Sequence, residues 1–193
     1  MSSTAGIGGA ASYSRVPGET LTPVIRLACA EDIAAINAIY NHYVEHSTCT
    51  YQELPEPIEG RREWYARHGG AHPVTVAEVN GRIVGWGSLS TFHPRSAYRY
   101  TVENSVYVDH AFHRRGIGSA LLRDMIERAR VLGHRAIIAG IDAGQTASIG
   151  LHAKFGFEQV GCLREVGLKF DRWLYVIYME LRLGCPAGSA SVG

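Results

Sequence analysis

The stretch VYVDHAFHRRGIGSALL, residues 106–122, passes from β-branched and aromatic residues through two arginines and a Gly-x-Gly into a helical repeat. A strand, a short basic turn and a helix in succession can be a plain tight loop between two core elements. The same succession can also hold an anion. The first N–H groups of a helix have no intrahelical acceptor and lie at the positive end of its dipole. Gly116 and Gly118 let those amides approach a ligand without an intervening Cβ, and Arg114 and Arg115 add charge of the right sign. The turn lacks the G-x-x-x-x-G-K-[ST] pattern of nucleoside-triphosphate loops and the third glycine of the dinucleotide fingerprint.

Working outward, residues 116–132 read as a helix with Leu121, Leu122, Met125, Ile126 and Ala129 on its apolar stripe and Gly133 as its stop. The next segment, RAIIAGID, is almost continuously apolar, as a strand buried on both faces should be. Residues 147–155 form a short helix, and EQVGCLREV and WLYVIYMEL are closing strands. Upstream, PVTVAEV and RIVGWGSLS flank Asn80-Gly81, a hairpin signal, and TVENSVYV is the strand that feeds the glycine turn. Residues 24–29 are a strand. The next helix carries Ile33, Ile36, Tyr40, Tyr43 and Val44 on one face, and EGRREWYARHGG is a second helix. The order β-α-α-β-β-β-α-β-α-β-β describes an α/β protein, a mixed sheet with helices on both faces.

The chain has 193 residues, enough for one domain that buries a core without staples. The folded unit is expected at residues 24–183, between Gly-, Ser- and Ala-rich tails at 1–23 and 184–193. A net charge of +1 gives no reason to expect nucleic-acid or membrane partners, and no apolar run is long enough to span a bilayer. Cys29, Cys49, Cys162 and Cys185 are scattered, and the N-terminus has no secretory h-region, so a reduced, cytoplasmic protein is expected. His42 and His46 share a helix face beside Glu45, but no H-E-x-x-H is present and no metal is expected.

HRRGIGSALL after VYV, and GFEQVG after a short helix, resemble the GNAT superfamily of N-acetyltransferases. IYNHYVEHSTCTY, AYRYTVENSVYV, ASIGLHAKFGF and LREVGLKFDRWLYVIYMEL are similar, in consistent order, to its phosphinothricin and methionine sulfoximine/sulfone acetyltransferase branch. The resemblance implies the acyl-coenzyme-A N-acyltransferase fold, a central twisted mixed sheet flanked by helices. It also implies acetyl-coenzyme A as co-substrate, a small amino acid or analogue as acceptor, a homodimer, and a role in detoxification or herbicide resistance.

The resemblance assigns residues as well. Arg114, Arg115, Gly116, Ile117, Gly118 and Ser119 would bind the coenzyme's pyrophosphate, with His113 where arginine or glutamine is usual. Val106, Tyr107 and Val108 would offer backbone groups to the pantetheine, and residues 140–142 would lie across the slot. Gln145 would contact the coenzyme in place of an asparagine. Glu103 would be the general base. Without the resemblance, it would read as a solvent-facing residue on an alternating strand. Phe155 stands where many members carry a thiol-protonating tyrosine; either His152 replaces it or the thiolate leaves into solvent. His93, Pro94, Arg95, Asn104, Ser105 and Lys169 are implied in acceptor binding, and Arg99, Tyr98 and Trp86 are further candidates or packing residues. Two alternatives stay open at this point: another amine acceptor (a protein N-terminus, a polyamine or an aminoglycoside), or a non-catalytic acyl-coenzyme-A sensor.

Overall fold

The structure, a computed structural model, describes residues 22–184. The expected tails and Cys185 lie almost entirely outside them. In chain order the elements are β1 (Val24–Leu27), α1 (Ile33–His46), α2 (Ile58–Ala66), β2 (Val74–Val79), β3 (Arg82–Thr91), β4 (Thr101–Val108), α3 (Ile117–Val131), β5 (Ala136–Asp142), α4 (Thr146–Lys154), β6 (Glu158–Lys169) and β7 (Arg172–Arg182). This is the order read from the sequence. The strands form one sheet in the order β1-β2-β3-β4-β5-β7-β6, antiparallel except for β4 against β5.

The helical stripes set the two faces. All five expected apolar residues of α3 are buried, as is Ile117. Leu122, Met125, Ile126 and Ala129 pack on Leu89, Val102, Ile137 and Met179, whereas Ile117 and Leu121 pack on Ala77, Val79 and Val84. On the other face, Ile36 and Ile39 of α1 meet Val74, Val76 and Trp86. Val84 and Trp86 have the same parity on β3 yet serve opposite faces. A bulge explains it: the register jumps from Ala77↔Gly85 to Glu78↔Ile83, leaving Val84 as the extra residue. Trp86 is therefore core, stacked on Tyr107 at 4.7 Å between centroids.

The closing hairpin differs from expectation. β6 runs on to Lys169, and the turn to β7 is Phe170-Asp171, with φ of 52° and 55°. Two consecutive left-handed residues match a type I′ hairpin turn, but neither is the Asn or Gly that usually announces one. The extension brings Lys169 inside the fold. It is 3% exposed, and its Nζ donates to Ser47 O and Thr50 O, each at 2.8 Å. The segment after α1 is thus fastened to the hairpin.

The β4–β5 pairing positions the site. It holds for Thr101↔Ala136, Val102↔Ile137 and Glu103↔Ile138, and then stops. Beyond that point β4 stays on β3 as far as Val108, and β5 stays on β7 as far as Asp142. The two strands part, and a slot opens between them.

A Cβ on Gly167 would stand 2.8 Å from the Tyr51 ring. Gly167→Ala is expected to destabilise by about 1–3 kcal/mol, the usual range for overpacking. The checking measurement is a lower urea midpoint at unchanged slope.

Candidate functional site

The glycine turn is built from backbone conformation first. Arg114 (φ 58°) and Gly116 (φ 80°) are both left-handed and flank Arg115. Alternation of this kind makes a concave nest of N–H groups. The first intrahelical bond at this end of α3 runs from Ala120 N–H to Gly116 O at 3.0 Å, so the N–H groups of residues 117–119 precede it without an intrahelical acceptor. The Arg115 guanidinium lies 5.1 Å from the Phe112 ring centre, and neither Arg114 nor Arg115 is ion-paired among the described residues. His113 shares Val108 O with the Tyr43 hydroxyl, which tethers the base of the turn to α1. A groove leads from here along Val108, Tyr107 and Val106 to Gln145, Ser148 and Cys49.

That groove meets the slot between β4 and β5. Cys49, Val106, Tyr107, Gln145 and Ser148 line both, and Asn104, Ser105, Asp142 and His152 line the slot together with residues 139–141. The arrangement can accommodate a long ligand with an anionic end, since it offers free N–H groups at the turn and β4 backbone groups that β5 does not pair. Gln145 Nε2 leans toward Ser47 Oγ and Thr48 Oγ1, at 3.4 and 3.3 Å. Thr48 in turn donates to the buried Asp142 carboxylate at 2.6 Å.

Glu103 is half-buried beside the last β4–β5 pair. Its Oε1 lies 3.5 Å from where a Cβ on Gly140, a slot residue, would stand, with Tyr178 and Val176 around the same point; Glu103 itself is not among the residues that line the slot. No side chain among the described residues pairs with it, and burial pushes its pKa up. His152 is 3% exposed, with Nδ1 2.8 Å from Ser148 O and Nε2 3.1 Å from Asn104 Nδ2. Burial lowers its pKa and favours the neutral ring. Both of its nitrogens are engaged, and neither presents a proton to the slot.

The other sequence candidates are placed as follows. His93, Pro94 and Arg95 lie in the β3–β4 loop, at the opposite end of β4 from the glycine turn, with His93 packed on Tyr98 at 4.8 Å. Tyr98 also packs on Phe92, and Arg99 folds back onto Ser96 O and the Tyr100 ring. Lys169 does not reach the slot, because its ammonium is held by the Ser47 and Thr50 carbonyls. His42 stacks face-on between His46 and His110, at 4.6 and 4.0 Å. No group of three His, Cys, Asp or Glu side chains is arranged for a metal among the described residues. Sequence reasoning missed Tyr43, Cys49 and Ser148 as lining residues. Tyr43 reads as part of an apolar stripe, and nothing local marks the other two.

Residues 36–157 match the model of the acetyltransferase (GNAT) family. The chain is 40% identical over 160 residues to an L-methionine sulfoximine/L-methionine sulfone acetyltransferase of Salmonella typhimurium, covering 82% of this chain and 94% of that one. It is 39% identical over 158 residues to a phosphinothricin N-acetyltransferase of Alcaligenes faecalis, covering 81% and 80%. Among solved structures, a GNAT superfamily phosphinothricin acetyltransferase of Sinorhizobium meliloti in complex with acetyl-coenzyme A superposes with a TM-score of 0.82 at 35% identity, covering 90% and 95%.

The burial of Glu103 has a consequence for stability. A carboxyl whose folded pKa is raised favours the native state below the unfolded value, about 4.3, and loses that contribution as pH rises through the folded value. Glu103→Gln is therefore expected to unfold at a higher temperature than the wild type at pH 7.5 and at the same temperature near pH 4. Thermal scans at the two pH values check this.

Proposed function

This chain belongs to the acetyltransferase (GNAT) family and is an acetyl-coenzyme-A-dependent N-acetyltransferase; we propose that its acceptor is the α-amine of a small amino acid analogue of the phosphinothricin or methionine sulfoximine/sulfone type. The observation that carries this reading is the parting of β4 and β5, which sets Glu103 beside a slot whose groove ends at the glycine turn.

The coenzyme supplies an acetyl group activated as a thioester, and the chain supplies the rest. Arg114, Arg115 and the free N–H groups of residues 117–119 hold the diphosphate. The open edge of Val106–Val108 aligns the pantetheine, and Gln145 caps it from α4. Glu103 takes the proton of the acceptor ammonium, directly or through one water, and the freed amine would displace coenzyme A as a thiolate that takes its proton from solvent. An α-amine is less basic than a lysine side-chain amine and so loses its proton at neutral pH at lower cost, a task within reach of one carboxylate. The raised proton affinity of Glu103 brings donor and acceptor closer together and makes the transfer easier. His152 acts by holding Asn104 and α4 in place. His93, Pro94 and Arg95 form the acceptor loop, with Arg95 facing the anionic or strongly polar tail. Acetylation of such analogues would detoxify them and confer resistance to herbicides of this kind.

The chain is further proposed to act in the cytoplasm as a homodimer. No helix of the described residues is long and apolar enough to cross a membrane. The β6–β7 hairpin presents Leu168, Phe170 and Trp173 at 50%, 52% and 59% exposure, a surface suited to a second copy.

Thiol release across a panel of amino acids, peptides and polyamines tests the reading. Phosphinothricin and methionine sulfone are expected to turn over well ahead of lysine side chains or polyamines, and coenzyme binding with no turnover on any amine would overturn it. Glu103→Gln is expected to keep its fold and lose most of kcat, about a hundredfold or more, within the range of general-base catalysis. In the wild type, kcat/KM should fall with acidification along a limb lying above the ordinary glutamate range, because protonated Glu103 cannot accept the amine's proton. That limb should vanish in the variant.

A further inference from the structure

Asn104 is 7% exposed and lines the slot where β4 leaves β5. Its Nδ2 faces His152 Nε2 at 3.1 Å, and the other nitrogen of that ring faces Ser148 O at 2.8 Å. A carbonyl only accepts, so Nδ1 carries the imidazole proton and Nε2 presents a lone pair. The Asn104 amide must turn its N–H to that lone pair, since the flipped amide would set two acceptors against each other. The orientation is thereby fixed, and Asn104 Oδ1 is left buried with no partner. An unpaired buried acceptor is costly, and Oδ1 is closed to solvent here, so a ligand donor can complement it only with a small shift of the Asn104 side chain toward the slot.

The slot continues the groove assigned to the coenzyme, and a ligand-binding role for Asn104 rests on that reading. The reactive end of the coenzyme carries a donor at sulfur only after the acetyl group has left: the thiol has an S–H, the thioester has none. We infer that Asn104 Oδ1 accepts a hydrogen bond from the thiol of free coenzyme A, so that Asn104 determines how strongly the enzyme holds its product relative to its acetylated co-substrate. His152 is the positioning residue that aims the oxygen. The terminal pantetheine N–H is the competing donor, and it is present in both forms.

Calorimetric titration with coenzyme A and with desulfo-coenzyme A, which keeps the pantetheine amide but lacks the thiol, separates the two. Wild type is expected to favour coenzyme A by about twofold to tenfold, the range of one net neutral hydrogen bond, and toward the lower end because S–H is a weak donor. Asn104→Leu should erase that preference while leaving desulfo-coenzyme A binding within about twofold of wild type. If Asn104→Leu does not fold, Asn104→Ala gives the same comparison. A preference that survives the substitution, equal binding of both ligands to wild type, or equal weakening of both in the variant overturns the inference. Failure of wild type to bind either ligand would instead remove the coenzyme reading itself, and this inference with it.

Discussion

The structure depends on where one ladder of hydrogen bonds ends. β4 and β5 are the sheet's parallel pair, and their pairing stops after Glu103↔Ile138. Had it continued, the backbone groups of residues 104–108 on that side would be satisfied within the sheet and no ligand could reach them. Because it stops, the middle of the sheet carries an unpaired edge, which a chain-like ligand can complete as a strand would. The neighbouring ladders make the gap tolerable: β4 remains fully paired to β3 as far as Val108, and β5 to β7 as far as Asp142.

The same gap arranges the electrostatics. Glu103 lies at the fork, too deep for full hydration and with no cation paired to it among the described residues, so its affinity for a proton rises. At the other end of β4 the turn offers the opposite environment: free amides, exposed guanidinium groups and a helix start. In the proposed reading, one strand separates a site for a negative ligand from a site for a proton, with the length of β4 as the spacer. Tyr43 and His113 both bond Val108 O and fix the far end of that spacer to α1.

The strong periodic elements were legible in the sequence. The α3 stripe, the Asn80-Gly81 hairpin and the order of strands and helices follow from apolar spacing and glycine placement. Three features were not. The Phe170-Asp171 turn requires left-handed backbone from residues that do not signal it, and this hid the length of β6. Lys169 reads as a ligand-facing charge, yet its partners are carbonyls 122 and 119 residues away, a pairing that only the folded chain creates. The Asn104–His152 bond spans 48 residues, so the origin of the unpaired Oδ1 is equally invisible in the sequence, even though each residue is a candidate there in its own right. Local patterns predict elements; the chemistry of a buried polar group depends on what the fold brings to it.

The confinement of Lys169 bears on how the protein survives its own co-substrate. Thioesters acylate free primary amines without any catalyst, and a protein that concentrates one in a groove exposes its own ammonium groups to slow self-damage. This sequence contains two lysines, Lys154 and Lys169, against seventeen arginines, whose guanidinium groups stay charged and are poor nucleophiles. Of the two amines, one is sealed among backbone carbonyls. The cationic work of the fold is thus given almost wholly to side chains that an activated acetyl group leaves untouched.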